Sequence, residues 1–508
     1  MSAGAIRRDP AGAAQTRFDL IIVGGGVCGI MIALEATRRR LRPLLLERAD
    51  FAAATSANSL RILHGGLRYL QRLDLRRSLE AIRERAWWLR HFPEHASPLP
   101  CLMPLYGDGL MRPSVLRLGV RANDLLCSWQ APRSPLPRGR LIDAAAVQRL
   151  CPWIDGRGLL GGAAWYDALA GAAPRLLIEA LRWACAAGAA ALNYVEATGL
   201  LTAGGRVAGV TGQDLEGGAS LVFEAPVVIN AAGPWAPAFA ATAGAAEARL
   251  FRPVLAWNVA FRRTPLSDHA LALRARRKRA LTNFLVPRGD AILAGTGYAP
   301  WTDPRAAPQL PAPLLEAFIA DLNTAAPALA LRVEDVIRTY VGLLPAARPG
   351  TAELARRAVV LDHGTSGGPA AFLSVSGVKL TTARALAERV LARAFPAAVP
   401  VAWHALPRPP AVELPPEHLL AARAAAADPW RDALRYAVQH EAALHLDDLL
   451  LRRTVLGDDP ERALTVAPLA CRLLGWTGAR AQAERARLEA ALAPVRPLQA
   501  AGRRAVVP

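Results

Sequence analysis

The sequence predicts an α/β protein: a nucleotide-binding βαβ unit, a strand-rich segment that covers it, and a helical C-terminal unit. Three observations carry this. An apolar strand, Asp19-Leu-Ile-Ile-Val23, runs straight into Gly24-x-Gly26-x-x-Gly29. A helix-like segment over 30–40 is followed by a second apolar run, 43–46, ending on Glu47. After a proline-rich stretch at about 396–416, residues 417–492 read as helix after helix.

Each element has its reason. Residues 1–17 are small and polar with no apolar run, so they read as a flexible tail and not as a secretory signal. In the glycine motif, Gly24 permits the tight turn, Gly26 lets the backbone approach a pyrophosphate, and Gly29 lets the helix pack close to its strand. The N-terminus of that helix offers unpaired N–H groups and a positive dipole end to phosphate. Glu47 is placed to accept hydrogen bonds from a ribose. Residues 74–90 interleave apolar positions with Arg and Glu and read as a helix. The segment 111–129 is basic and amphipathic, with Arg112, Arg117 and Arg121 among Val115, Leu116, Leu118, Val120, Leu125 and Leu126. Residues 173–188 read as a helix, 189–195 as a strand entering the nucleotide sheet, and 221–232 as another strand ending in a turn at Gly233-Pro234. The mixed pattern of 250–345 suits a sheet over a substrate, and 374–395 a turn leading into a helix.

Composition narrows the function classes. The chain of 508 residues, 53% hydrophobic, is long enough for two or three domains with substantial cores. Its +19 charge is spread along the chain without the basic and aromatic clustering that base stacking needs, so nucleic acid is not an expected partner. Cys28, Cys101, Cys127, Cys151, Cys185 and Cys471 form no CxxC pair, which gives no disulfide framework and no metal site and fits a reducing, cytoplasmic setting. The uncharged stretch 225–246 contains Asn230 and three prolines, so it does not read as a membrane span. Only Lys278 and Lys379 are lysines among 61 basic residues. A chain so rich in Arg that keeps Lys at 379 suggests a need there for a compact ammonium. Lys278 falls in a solvated basic run, Arg274-Ala-Arg-Arg-Lys-Arg279.

Five further segments carry a resemblance. They are Thr55-Ser-Ala-Asn-Ser-Leu-Arg-Ile-Leu-His-Gly-Gly-Leu-Arg-Tyr69, Asn230-Ala-Ala-Gly-Pro-Trp235, Thr339-Tyr-Val-Gly-Leu-Leu-Pro345, Gly377-Val-Lys-Leu-Thr-Thr382, and Tyr436-Ala-Val-Gln-His-Glu441 followed by Leu449-Leu-Leu-Arg-Arg-Thr454. In this order, over about residues 18–480, the chain resembles the FAD-dependent glycerol-3-phosphate dehydrogenases. The resemblance implies an FAD-binding Rossmann-like domain of the D-amino-acid-oxidase/glutathione-reductase type, a β-rich substrate domain and an α-helical C-terminal domain. Its oxidoreductase region would span 18–396, with FAD-binding segments at about 18–75, 140–250 and 340–395 and substrate-covering segments at about 76–139 and 251–339. A linker at 397–416 and a helical domain at 417–495 follow.

The expected FAD contacts are Gly24, Gly26, Gly29, Glu47, Thr55, Ser56, Ser59, His64, Gly65, Gly66, Val195, Ala232, Gly233, Trp235, Gly377, Lys379, Leu380 and Thr381. Thr55, Ser56 and Ser59 would donate to pyrophosphate or flavin edges. Gly65 and Gly66 would let the main chain pass close to the flavin ring. Gly377 to Thr382 would open a helix whose N–H groups face the flavin. Lys379, His64, Arg357 and Arg61 are the catalytic candidates, His64 as the weak candidate for base.

The sequence departs from the family in the substrate region. Leu344 stands where the family has an Arg that holds the substrate phosphate, and Leu255-Ala-Trp-Asn258, Gly295-Thr-Gly-Tyr298 and 168–175 also differ. Leu cannot make the bidentate contact a phosphate dianion favours. Arg357 is retained, and Arg348 is near enough in sequence to compensate. The expectation is therefore a dehydrogenase that oxidises a secondary alcohol by hydride transfer to flavin N5, on a substrate other than or additional to glycerol 3-phosphate. A flavin oxidase of amines, amino acids or hydroxy acids and a catalytically impaired flavin-binding protein are the alternatives. Quinone or oxygen would accept the electrons, the 111–129 helix would touch an anionic membrane on its cytoplasmic face, and a homodimer is an option.

Overall fold

A computed structural model describes residues 4–70, 74–107, 112–245, 247, 249–275, 281–303, 307–415 and 428–495. Strand Leu20–Val23 is buried along its length and lies inside a six-stranded sheet. The order across this sheet is Val359–Asp362, Phe372–Ser376, Val228–Asn230, Leu20–Val23, Pro43–Leu46 and Ala190–Leu192, all parallel except the first pair. Parallel strands covered on both faces are apolar throughout, which explains the unbroken Leu-Ile-Ile-Val and Pro-Leu-Leu-Leu runs. Leu20, Ile22, Leu45 and Leu373 pack against helices Val27–Thr37, Ala173–Ala186 and Ala383–Ala394. Ile21, Val23, Leu44 and Phe372 point the other way, onto an antiparallel sheet of Val195–Ala203, Arg206–Asp214 and Ser220–Glu224.

A second, larger sheet stands against this unit. Its order is Val336–Pro345, Pro253–Phe261, Ala291–Pro300, Thr282–Arg288, Ala270–Arg274, Ala96–Leu105, Gly161–Ala170 and Ile62–Leu63, with Arg140–Ile142 paired beside Gly161–Ala170. Alternation sets its two faces. Leu255, Trp257, Leu271 and Leu285 pack on helix Ala312–Ala325, whereas Met103, Trp165, Ala272, Phe284 and Tyr340 share the opposite face.

Helices Asp428–His440, Pro460–Leu474 and Gly478–Leu492 close on a core of their own that includes Trp430, Leu446, Leu450 and Leu488. They are fixed to the nucleotide unit by buried ion pairs. Asp50 accepts from Arg453 at 2.6 and 2.8 Å and pairs with Arg452, and Glu441 accepts from Arg175 at 2.6 and 2.7 Å. The segments Tyr436–Glu441 and Leu449–Thr454 quoted above are thus docking motifs.

Several expectations change. Residues 6–14 are not a loose tail: Ile6 is buried and donates its N–H to the His440 carbonyl, Arg8 pairs with Asp214, and a short helix, Pro10–Ala14, is capped by Asp9. The single strand expected over 221–232 is two strands in two sheets, because Pro226 interrupts the ladder between Ser220–Glu224 and Val228–Asn230. Strand Gly161–Ala170 joins the large sheet and not the nucleotide unit. The proline-rich segment is laid along the nucleotide unit, with Val401 donating to the Arg38 carbonyl and the Pro410 carbonyl accepting from Arg182. Lys278 and Met111 lie outside the described residues.

Candidate active site

A cavity of about 1110 Å³ opens between the carboxyl ends of the nucleotide sheet and the inner face of the large sheet. Ordinary small-molecule sites occupy roughly 300–1,000 Å³, so there is room here for a dinucleotide and a substrate together.

At the nucleotide end, Gly24 has φ +108° and Gly26 caps helix Val27–Thr37 without a side chain. A Cβ on Gly29 would overlap the Gly24 carbonyl oxygen, and one on Gly26 would lie 3.0 Å from Ser56 Oγ. Gly29 therefore serves the packing of turn on helix and does not itself line the cavity. Glu47 closes the second strand and accepts from the N–H groups of Gly25 (2.6 Å) and Ala49 (2.8 Å). Burial pushes its carboxyl pKa up, and these two N–H groups restrain the rise. Ser56 Oγ accepts from the Val27 N–H at 3.0 Å. Val195, Arg48 and Glu196 complete this end.

Thr55 and Ser59 line the cavity, but their hydroxyls have internal work. Thr55 Oγ1 donates to the Leu343 carbonyl (3.1 Å) and accepts from the Leu343 N–H (3.2 Å), stitching the loop to strand Val336–Pro345. Ser59 Oγ accepts from the Arg61 N–H. Gly65 and Gly66 do not line the cavity. A Cβ at 65 would overlap the Arg85 guanidinium, and one at 66 would crowd Ile82, so both glycines admit helix Leu75–His91.

Across the cavity, Ala232, Gly233 and Trp235 follow strand Val228–Asn230, where Asn230 Nδ2 donates to the Ala236 carbonyl and to Ser374 Oγ. Gly377, Lys379, Leu380 and Thr381 line the facing loop. That loop precedes helix Ala383–Ala394, so the helix starts later than expected; a Cβ at Gly377 would overlap Cys28 Sγ. Lys379 donates to the Tyr69 hydroxyl and sits 4.3 Å from its ring centroid.

His64 and Asp167 meet on the inner face of the large sheet, and both line the cavity. His64 Nδ1 is 3.2 Å from Asp167 Oδ2, and the ring leans on Phe284 at 5.2 Å. Asp167 also accepts from the Gly65 N–H (2.6 Å), Arg85 (2.9 Å) and Trp165 Nε1 (3.4 Å). Burial opposes its ionisation, but His64, Arg85 and these donors prevail and hold the carboxyl far below its ordinary range. An ionised Asp167 orients the imidazole with Nδ1–H toward the carboxylate, making Nε2 the nitrogen that can take a proton. Asp167 was not among the expected site residues. Its signal is a lone acid in the apolar strand run Gly-Gly-Ala-Ala-Trp-Tyr-Asp-Ala-Leu-Ala.

The expected cations separate. Arg61 lines the cavity but is buried, and its guanidinium grips both oxygens of Asp458 and the Gly171 carbonyl. Arg288 adds a bond to Asp458 at 3.1 Å. Despite burial, these arginines draw the Asp458 pKa down to about 2. Arg61 is thus committed to the C-terminal helical unit and is not a substrate cation. Arg357 is exposed and does not line the cavity, and Arg348 pairs outward with Glu353 at 3.2 Å. Leu344 does line the cavity. Among the described residues no group of acids, His and Cys could hold a metal ion, and all six cysteines are free.

A glycine cradle at one end of the cavity, an acid closing the second strand beside it, and a loop–strand pocket at the other end suit a flavin dinucleotide. The sequence profile of the FAD dependent oxidoreductase family matches residues 19–393. The chain belongs to this family, and FAD is its cofactor. Within it, the chain is a relative of the glycerol-3-phosphate dehydrogenases: it is 32% identical over 505 residues to glycerol-3-phosphate dehydrogenase 1 of Mycobacterium bovis, covering 89% of this chain and 94% of the other. The glycerol-3-phosphate dehydrogenase of Mycobacterium leprae is 29% identical, with coverage of 91% and 86%. Among solved structures, the Bacillus halodurans glycerol-3-phosphate dehydrogenase complexed with FAD superposes with a TM-score of 0.71 at 20% identity, covering 97% of this chain and 98% of that one. The L-α-glycerophosphate oxidase of Mycoplasma pneumoniae gives 0.54 at 16% identity, covering 74% and 94%. These structural likenesses carry the fold alone.

Proposed function

We propose that the protein is a dehydrogenase of secondary alcohols whose substrate is hydroxylated, anionic and other than, or additional to, glycerol 3-phosphate. The observation that carries this is the His64–Asp167 pair on the wall of the FAD cavity, together with Leu344 on the same cavity. FAD, when bound, supplies the hydride acceptor at N5. Gly24, Gly26 and Glu47 would hold its adenosine-pyrophosphate end, and Ala232, Gly233 and Gly377 to Thr381 would hold the ring. As the carbinol C–H bond breaks, His64 Nε2 takes the hydroxyl proton, and Asp167 stabilises the imidazolium that forms. Lys379 adds a positive charge beside the ring.

The electron acceptor is a quinone or oxygen, and the protein is cytoplasmic with a peripheral membrane contact through helix Pro113–Gln130. Val115, Leu118, Leu125 and Trp129 lie exposed along it at helical spacing, flanked by exposed Arg112, Arg117 and Arg121. No helix among the described residues is long and apolar enough to cross a membrane, so contact would be interfacial. Flotation with anionic vesicles that salt reverses supports this contact, and absence of flotation at low salt removes it.

The reaction is tested by anaerobic bleaching of the bound flavin with glycerol 3-phosphate, glycerol, small 2-hydroxy acids and amino acids. Reduction by hydroxylated anions is the expected result. Reduction by amino acids alone, or by nothing in the panel, overturns the proposal.

A further inference from the structure

We propose that Arg274 anchors the anionic end of the substrate, a carboxylate or phosphate, at a place on the large sheet remote from Leu344. This rests on the dehydrogenase reading above and specifies how its pocket recognises charge. Arg274 ends strand Ala270–Arg274. Ala270 and Ala272 pack on the inner face of the large sheet, so by alternation Arg274 faces the same side, and it lines the cavity. It stands opposite Thr282, one row from the Ala272–Phe284 pair, and Phe284 packs on His64. Two residues of strand advance about 7 Å, so Arg274 stands about that far along its strand from the row that meets His64.

Among the described residues, the other cations on the cavity have partners. Arg61 is held by Asp458, Arg48 lies 3.6 Å from Glu196, and Lys379 is turned to Tyr69. Arg274 makes no ion pair and no side-chain hydrogen bond among the described residues. Its cavity neighbours Leu281, Thr282 and Phe284 bring no carboxylate. It does not simply take over the place of Leu344, because three strands lie between the two. Leu344, Leu354 and Phe251 instead leave the far wall apolar. The substrate class that fits has a planar or tetrahedral oxyanion for a guanidinium fork at Arg274, a carbinol near His64, and uncharged substance toward Leu344.

The test compares the FAD-loaded parent with Arg274→Ala and Arg274→Lys. Inorganic phosphate and acetate are titrated separately while the flavin spectrum and the heat of binding are followed, and reduction by an anionic hydroxy compound and by neutral glycerol is timed. The expected result is that at least one anion binds the parent, that Arg274→Ala weakens it and raises KM for the anionic substrate about 10- to 100-fold, and that Arg274→Lys recovers part. Flavin content is unaffected, and reduction by the neutral alcohol changes less than reduction by the anionic compound. Which anion binds tells phosphate from carboxylate recognition. Anion binding in Arg274→Ala equal to the parent, or no anion binding in the parent, overturns the proposal. Arg274-dependent anion binding without reduction by any hydroxyl compound upholds the anchor and sinks the dehydrogenase reading, so the two failures are distinct.

Discussion

His64 illustrates what one residue can and cannot show in sequence. It stands out there beside two glycines, but its role depends on a partner 103 positions away. Replacing it with Gln keeps a polar group yet removes the proton acceptor. We expect kcat for the preferred substrate to fall by about 10²–10⁴, with FAD still bound. Stopped-flow reduction checks this, and an unchanged rate would assign the proton to water. The glycine cradle was legible because each glycine answers a local backbone demand. Arg61, a catalytic candidate in the sequence, is taken up by Asp458, a carboxylate that arrives from a separate helical unit and leaves no trace near Arg61 in sequence. Gly65 and Gly66, expected to pass close to the flavin ring, instead admit helix Leu75–His91.

Single elements show a similar division. Helices with polar caps and periodic apolar positions, such as Leu75–His91 behind Asp74, were readable, whereas the break at Pro226 and the sheet joined by Gly161–Ala170 depend on non-local pairing. Helix Gly478–Leu492 is docked partly through His445, whose ring nitrogens lie 3.1 Å from Glu484 and 3.0 Å from Glu216. Burial pulls the imidazolium pKa down, but the two carboxylates outweigh it and the net shift is upward; Arg487 opposes and Asp448 assists. A raised native pKa stabilises fully below the ordinary value of about 6.5 and loses that stabilisation as pH rises through the native value. His445→Gln should therefore lower Tm more at pH 5.5 than at pH 9, by roughly 1 kcal/mol of lost stability at the acid end. Equal differences at both pH values would show that the clamp is not ionic.

Across the whole molecule, two sheets and a helical unit meet at one cavity, and ion pairs hold the helical unit to both sheets. Asp50 and Glu441 tie it to the nucleotide unit, and Asp458 ties it to Arg61 and Arg288 at the substrate side. Leu344, the sequence's departure from the resembled motif, lines the same cavity as the glycine cradle. The decisive comparison is therefore kcat/KM for glycerol 3-phosphate in the parent and in Leu344→Arg. Each charge-assisted hydrogen bond gained contributes about 1.5–3 kcal/mol, so the substitution should raise kcat/KM by roughly tenfold to more than a hundredfold. Ordinary efficiency in the parent, with no gain in Leu344→Arg, would contradict a pocket that lacks its phosphate contact at position 344.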